Sequence, residues 1–249
     1  MLDSISGAIL RAYRVGDGYQ YDDEFICQPD ELGGKTIGKL QELLALPASN
    51  AMGASVFGID SKGNLLYCAA KEMPKVDSLP MPPVGLQEVT AAVLDNDILY
   101  LLDAPSKEIW VYSGQSSVFI NSYPTSFFEQ APQEIGIAID MSVRGQDLYL
   151  LFADGNLASC TYSLLNTVPT RCVSPARLID PHPAAGGNVI FNQSLFTQLL
   201  LSAPPDSSLL LLAADTQAVL RLSPRSFELQ NQVHPLINSI PGENLTAMT

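Results

Sequence analysis

The sequence predicts an all-β chain of the β-propeller class, and three observations carry that expectation. The first is a repeat. Residues 54–68 read ASVFGIDSKGNLLYC and residues 145–160 read GQDLYLLFADGNLASC. Each is an apolar run, an Asp, a Gly-Asn, a second apolar run and a Cys, the pattern of two strands joined by a short turn. DILYLLDAPSKEIWVYSG (97–114) and SSLLLLAADTQAVLRLSP (207–224) have the same form. The second observation is a strand ahead of every pair and, behind some, a fourth and more polar stretch. The unit is then four antiparallel strands recurring roughly every 45–60 residues, near the period of propeller blades. The third is composition along the unit. The leading strands are rich in small residues (Ala45, Ala91, Ala92, Gly136, Ala138 and Thr197), as suits strands crowded round an axis. The later strands carry Trp110, Tyr112, Tyr149 and Phe152. A β-sandwich does not explain a unit that keeps one internal order.

In chain order, LDSISGAILRAY (2–13) matches ADTQAVLRLS (214–223), so the chain opens at the tail of a second strand. ILRAYR (9–14) then supplies a third strand and YQYDDEFIC (19–27) a fourth. Four blades follow at approximately 40–78, 86–123, 134–178 and 194–236. Their leading strands are ELLALP (42–47), EVTAAVL (88–94), EIGIAID (134–140) and SLFTQLLLS (194–202). SSVFINSY (116–123) and FELQNQV (227–233) are read as fourth strands. GENLTAMT (242–249) reads as a further leading strand, so residues 1–27 with 243–249 form a split blade within one propeller domain, 1–249. One second strand is missing at that junction. A ring closed by its C-terminal strand would hide a sheet edge, but the missing strand favours a fragment of a longer protein.

Hydrophobic residues make up 47% of the 249 and charged residues 16%, with a net charge of −13. That balance supplies a large core and argues against nucleic acid, whose phosphates need Lys and Arg. It also disfavours anionic membrane surfaces, and no apolar run is long enough to span a bilayer as a helix. The N-terminus lacks the basic and apolar blocks of a signal peptide. Cys27, Cys68, Cys160 and Cys172 are even in number with no CxxC pair, which fits disulfides better than zinc. Cys160 and Cys172 flank TYSLLNTVPTR (161–171), a candidate hairpin connection that would set both thiols on adjacent strands at disulfide distance. Cys27 and Cys68 are the remaining pair, from adjacent blades. Disulfides would point to an extracytoplasmic location; four buried free thiols in a reducing cytoplasm are the alternative.

The Gly-His and Trp-Asp marks of WD40 repeats are absent. NDILYLLDAPSKEIWVY (96–112), AIDMSVRGQDLYLLFADGNLASCTYS (138–163) and PTRC (169–172) resemble divergent bacterial propellers of the broad NHL or TolB-like kind, in particular propeller regions of large bacterial proteins. In some of those a PP2C-type phosphatase domain precedes the propeller. The resemblance covers most of the chain and implies a ligand-sensing or protein-binding module, with no phosphatase motif in these residues.

The candidate site is a set of acids. Gln41-Glu42, Gln87-Glu88 and Gln133-Glu134 precede three leading strands, and Glu243 holds the same place in the split blade. The remaining blade has Gln193-Ser194 there instead. If these starts lie at a channel mouth, Glu42, Glu88, Glu134 and Glu243 form a partial carboxylate ring suited to Ca²⁺, a cation that takes hard oxygen ligands. The alternative, favoured here, is that each Glu clamps backbone N–H groups of a neighbouring blade and no cofactor is needed. His182 and His234 sit in turn-like stretches and make poor metal ligands or triad members. Trp110 is expected in packing. Gly33-Gly34 and Gly186-Gly187 read as loop punctuation, and the glycosylation patterns at Asn192 and Asn244 as chance matches. No GxSxG or phosphate-cradling loop is present. The expected function is a non-catalytic binding or sensory module for a protein or small ligand; the alternative is a lactonase-like hydrolase with a channel metal.

Overall fold

The computed structural model describes residues 2–3, 5–16, 18–25, 27–32, 34–129, 131–161, 171–181, 195–216 and 218–233. The chain is all-β and built of propeller blades: four antiparallel four-stranded sheets, each in simple sequence order. It divides into two compact units, Met1–Phe127 and Phe128–Thr249.

The first unit opens with β1 (Ala12–Val15) and β2 (Gly18–Tyr21), an antiparallel hairpin, and the short pair β3 (Glu31–Leu32) and β4 (Lys35–Thr36). The approach of residues 9–15 to 18–27 continues beyond the hairpin ladder, since Asp22 N–H donates to Arg11 O and Ile9 N–H to Cys27 O. One blade follows from β5 (Leu40–Ala45), β6 (Val56–Asp60), β7 (Asn64–Cys68) and β8 (Lys75–Ser78). The next consists of β9 (Ala91–Asp95), β10 (Ile98–Asp103), β11 (Glu108–Ser113) and β12 (Thr125–Ser126).

The first blade is covered on both faces, which is why its central strands read as continuous apolar runs. Side chains alternate across a sheet. Phe57, Ile59, Leu65 and Tyr67 therefore join Leu99, Leu101, Trp110 and Phe119 of the second blade in one cluster. The opposite face gives Leu66 and Cys68, with Leu40, to a cluster with Ile9, Phe25, Cys27 and Ile37 of the N-terminal segment. Gly58 makes room on that face: a Cβ there would lie 2.5 Å from Leu40 Cδ1. Tyr67 and Tyr112 bury their rings and hand their hydroxyls to backbone carbonyls of Ser117 and Pro80, at 3.1 and 3.0 Å. Trp110 packs in the shared cluster, as its mid-strand position predicts.

In the second unit a 3₁₀ turn (Gln133–Ile137) leads into β13 (Ala138–Arg144), β14 (Asp147–Phe152), β15 (Leu157–Thr161) and β16 (Arg171–Ala176). The last described blade is β17 (Phe196–Leu201), β18 (Leu209–Ala213), β19 (Ala218–Leu222) and β20 (Leu229–Val233). Both blades feed one core, from Tyr149, Leu151 and Leu157 to Leu211, Leu220 and Phe227.

Two strand expectations are corrected. Residues 116–123 are not the fourth strand of their blade; that role falls to the two-residue β12. The Asp97 carboxylate accepts from the N–H groups of Ser116 and Ser117, both of which have positive φ, and Phe119 turns in to be fully buried. An extended ladder is incompatible with that capture. Residues 134–137 are likewise not strand. Pro132 (φ −56°) starts a 3₁₀ turn that buries Ile135, so Gly136 lies outside the leading strand. The expected strand at 243–249 lies outside the described residues.

Candidate functional site

The three described glutamates occupy three different points of their blades. Glu42 lies inside β5, half-buried, opposite Ile59 and just past a bulge at Gln41. Glu88 is exposed, three residues ahead of β9, and its N–H donates to the Asp103 carboxylate. Glu134 is exposed in the 3₁₀ turn. Their assignment to equivalent positions is therefore corrected: the counterparts of Glu42 past the same bulge are Asp140, opposite Leu151, and Gln198, opposite Leu212. Among the described residues no group of three or more His, Cys, Asp or Glu is placed to hold a metal ion. Glu243, His182, His234, Asn192, Asn244, Gly33, Gly186 and Gly187 lie outside the described residues.

Carboxylates hold the backbone at the entries of two leading strands, and these are aspartates. Asp60 closes β6 and is 1% exposed. Its Oδ2 accepts the N–H of Gly38, just ahead of β5, at 2.9 Å, and the side-chain amide of Asn64 at 2.8 Å. Its Oδ1 accepts the N–H groups of Lys62 and Asn64, both at 2.9 Å. Asp103, fully buried at the end of β10, accepts from Gln87, Glu88 and Ser106 N–H at 2.9, 3.3 and 3.2 Å. A buried carboxylate is tolerable only when its oxygens are saturated by donors. The signal for these two clamps was the Asp that closes the second strand of the unit.

In the second unit the side chains of β13 join it to β17. Asp140 Oδ2 accepts Leu199 N–H at 2.7 Å, while Oδ1 accepts Met141 N–H at 2.8 Å. Ser142 Oγ accepts Leu201 N–H at 2.9 Å. The Arg144 guanidinium donates to Leu201 O at 3.1 Å and to Ser202 O. Leading strands of neighbouring blades lie too far apart for a backbone ladder, and these three side chains bridge the gap. Burial pushes the Asp140 carboxyl up to about 7, against the two backbone donors that act to lower it.

Both cysteine pairs are disulfides. Cys160 and Cys172 face each other directly across β15 and β16, with Cα atoms 4.0 Å apart, slightly closer than the usual range. Cys27 and Cys68 tie the N-terminal segment to β7 with Cα atoms 5.8 Å apart.

The N-terminal hairpin carries four exposed large side chains, two on each face. Tyr13, Val15, Tyr19 and Tyr21 are 48%, 53%, 80% and 57% exposed. Cross-strand pairing puts Tyr19 opposite Arg14 and Tyr21 opposite Ala12, so both rings share one face. Tyr19 and Ala12 line a cleft of about 240 Å³ with Ile9, Phe25, Leu43 and Val56. Arg11 stands at that cleft, its guanidinium 5.5 Å from the Phe25 ring centre and paired with Asp22. Strand periodicity places these tyrosines on strands without marking which of them stay exposed.

No family model matches the chain, and no curated protein matches it. Solved structures do. A protein of unknown function from Bacteroides thetaiotaomicron is 13% identical with a TM-score of 0.46, over 77% of this chain. The chain spans 43% of that protein's length. A catalytically inactive virginiamycin B lyase from Staphylococcus aureus, solved with Quinupristin, is 12% identical with a TM-score of 0.47, over 98% of this chain and 74% of that one. YCF48 bound to a D1 peptide is 8% identical with a TM-score of 0.41, over 80% and 68%. At these identities the likeness concerns the fold alone.

Proposed function

We propose that this chain is a non-catalytic binding propeller, the sensory or scaffold part of a larger bacterial protein, and that the N-terminal hairpin presents its binding face. The observation that carries the reading is the pair of tyrosines on one face of that hairpin. Isolated exposed apolar residues are ordinary, but Tyr19 and Tyr21 both expose more than half of their surface on the same face, and Tyr19 lines an apolar cleft. Tyrosine supplies large, rigid contact area with a polar tip, and it is enriched where binding energy concentrates. The hairpin is also firmly mounted. Phe25 and Ile9 pack on the first blade and Cys27–Cys68 holds the segment covalently. The two disulfides favour an oxidising, extracytoplasmic compartment. A parent protein of the NHL or TolB-like kind, with or without an attached PP2C-type domain, accommodates such a module.

The test uses peptide and glycan arrays probed with the wild type and with a Tyr19→Ala, Tyr21→Ala variant. The exposed substitutions are expected to change stability by less than about 0.5 kcal/mol and to weaken the array hits at least about tenfold. Hits kept at full strength by the variant would remove the hairpin as the binding face. Turnover of ester or lactone substrates, abolished by chelation, would replace the binding reading with a hydrolase.

A further inference from the structure

Asp140, Ser142 and Arg144 alternate along β13 and all three reach the backbone of the next blade's leading strand. The carboxylate differs from the other two in being titratable without an ionic partner. The charged groups on the elements packed against it are few. Arg144, four residues along β13, is committed to the carbonyls of Leu201 and Ser202. Asp147 on β14 pairs with Arg144 in register, at the far end of the strand. Glu134 is exposed in the preceding 3₁₀ turn. Neither β17 nor β18 contains an ionisable residue. Among the described residues, no cation forms an ion pair with Asp140.

We propose that Asp140 is a proton-operated clamp on the seam between β13 and β17. When ionised, both oxygens accept a backbone N–H, and the bond to Leu199 is charge-assisted. The charge, however, sits in a half-dry seam with no cation. Protonation relieves that desolvation and converts one oxygen to a hydroxyl, a poorer acceptor, so one of the two N–H bonds weakens. Burial pushes the folded carboxyl up to about 7, from 3.8 for the ordinary group. The native state therefore binds more protons than the unfolded chain between those values. The contribution of this group to stability is complete below the lower value and is lost as pH rises through the upper one. The seam is thus tighter in hydrogen bonding when basic and cheaper in solvation when acidic, with the exchange centred near neutrality.

The test is an amide NMR titration of the intact chain from about pH 5 to about pH 9. The Leu199 and Met141 amide protons are expected to shift together in one single-proton step with a midpoint of about 7. In Asp140→Asn the step disappears, while in Ser142→Ala it persists and only the Leu201 amide moves. Flat Leu199 and Met141 amides in the wild type, or a midpoint near the ordinary carboxylate value, would overturn the proposal. If Asp140→Asn does not fold, the wild-type titration decides alone. A step that survives in a folded Asp140→Asn chain would assign the titration to another group and also overturn it.

Discussion

Residues 58–68 (GIDSKGNLLYC) and 151–160 (LFADGNLASC) carry nearly the same words and use them differently. Both turns place their Gly in the left-handed region, Gly63 at φ 79° and Gly155 at φ 81°, where a side chain would be strained. In the first, Asp60 is the last residue of its strand, buried, and anchors Gly38 at the entry to the leading strand. In the second, Phe152 occupies that last position, opposite Ala138 as Asp60 is opposite Leu40. Its Asp154 is exposed and bonds to Asn156, two residues on. The anchor to the incoming chain is then a backbone bond, Ala153 N–H to Ile137 O at 2.8 Å. The distance from Asp to Asn, four residues against two, decides whether the carboxylate reaches inward or stays in its own turn. The cysteines that end the two runs diverge as well. Cys68 binds Cys27, 41 residues away, and Cys160 binds Cys172, 12 away.

The most direct test sets the two aspartates against each other. Asp60→Ala leaves three backbone donors and the Asn64 amide without their acceptor. It should destabilise the first unit by about 3–4 kcal/mol, whereas Asp154→Ala should change stability by about 0.5 kcal/mol or less. Urea unfolding followed by Trp110 fluorescence reads the first directly. Equal costs would erase the distinction drawn between the turns. Next come the disulfides. Replacing Cys27 and Cys68 by Ala removes a 41-residue constraint and should cost about 4 kcal/mol, against about 3 for Cys160 and Cys172 over 12 residues. Calorimetric unfolding of each double variant under oxidising conditions orders the pair. A larger loss for the shorter loop would mean that native contacts, not chain entropy, dominate. The smallest effect concerns the space under the first repeat. Gly58→Ala puts a methyl against Leu40 and should cost about 1–3 kcal/mol. The register-equivalent position in the other repeat is Leu150, opposite Ala158 as Gly58 is opposite Leu66. A neutral Gly58→Ala, by denaturant midpoint, would show that Leu40 can move aside.

Much of the fold was readable because its signals are local. Apolar runs of strand length and short polar turns identify the hairpins 56–68, 98–113, 147–161 and 209–222 without knowledge of any distant residue, and in the first and third a turn Gly with positive φ adds to the signal. The same locality made the Cys160–Cys172 pair legible, since a hairpin brings residues on its two strands face to face. Clamping of backbone N–H groups by carboxylates is seen at Asp60, Asp103 and Asp140, residues the Gln-Glu pattern did not single out. Glu42, Glu88 and Glu134 each follow a Gln near the start of a leading strand, but a bulge, a loop and a 3₁₀ turn set them at unequal points.

Residue type and periodicity determined the strands, their antiparallel order within each blade and the aromatic layers between them, because those depend on contacts among near neighbours in the chain. Tertiary structure alone decided which acids are buried and what they hold. Asp60 finds Gly38 22 residues back and Asp140 finds Leu199 59 residues on. A hydrogen bond fails over a few tenths of an ångström, and the loop lengths and bulges that set such distances leave no mark in the pattern of polar and apolar residues.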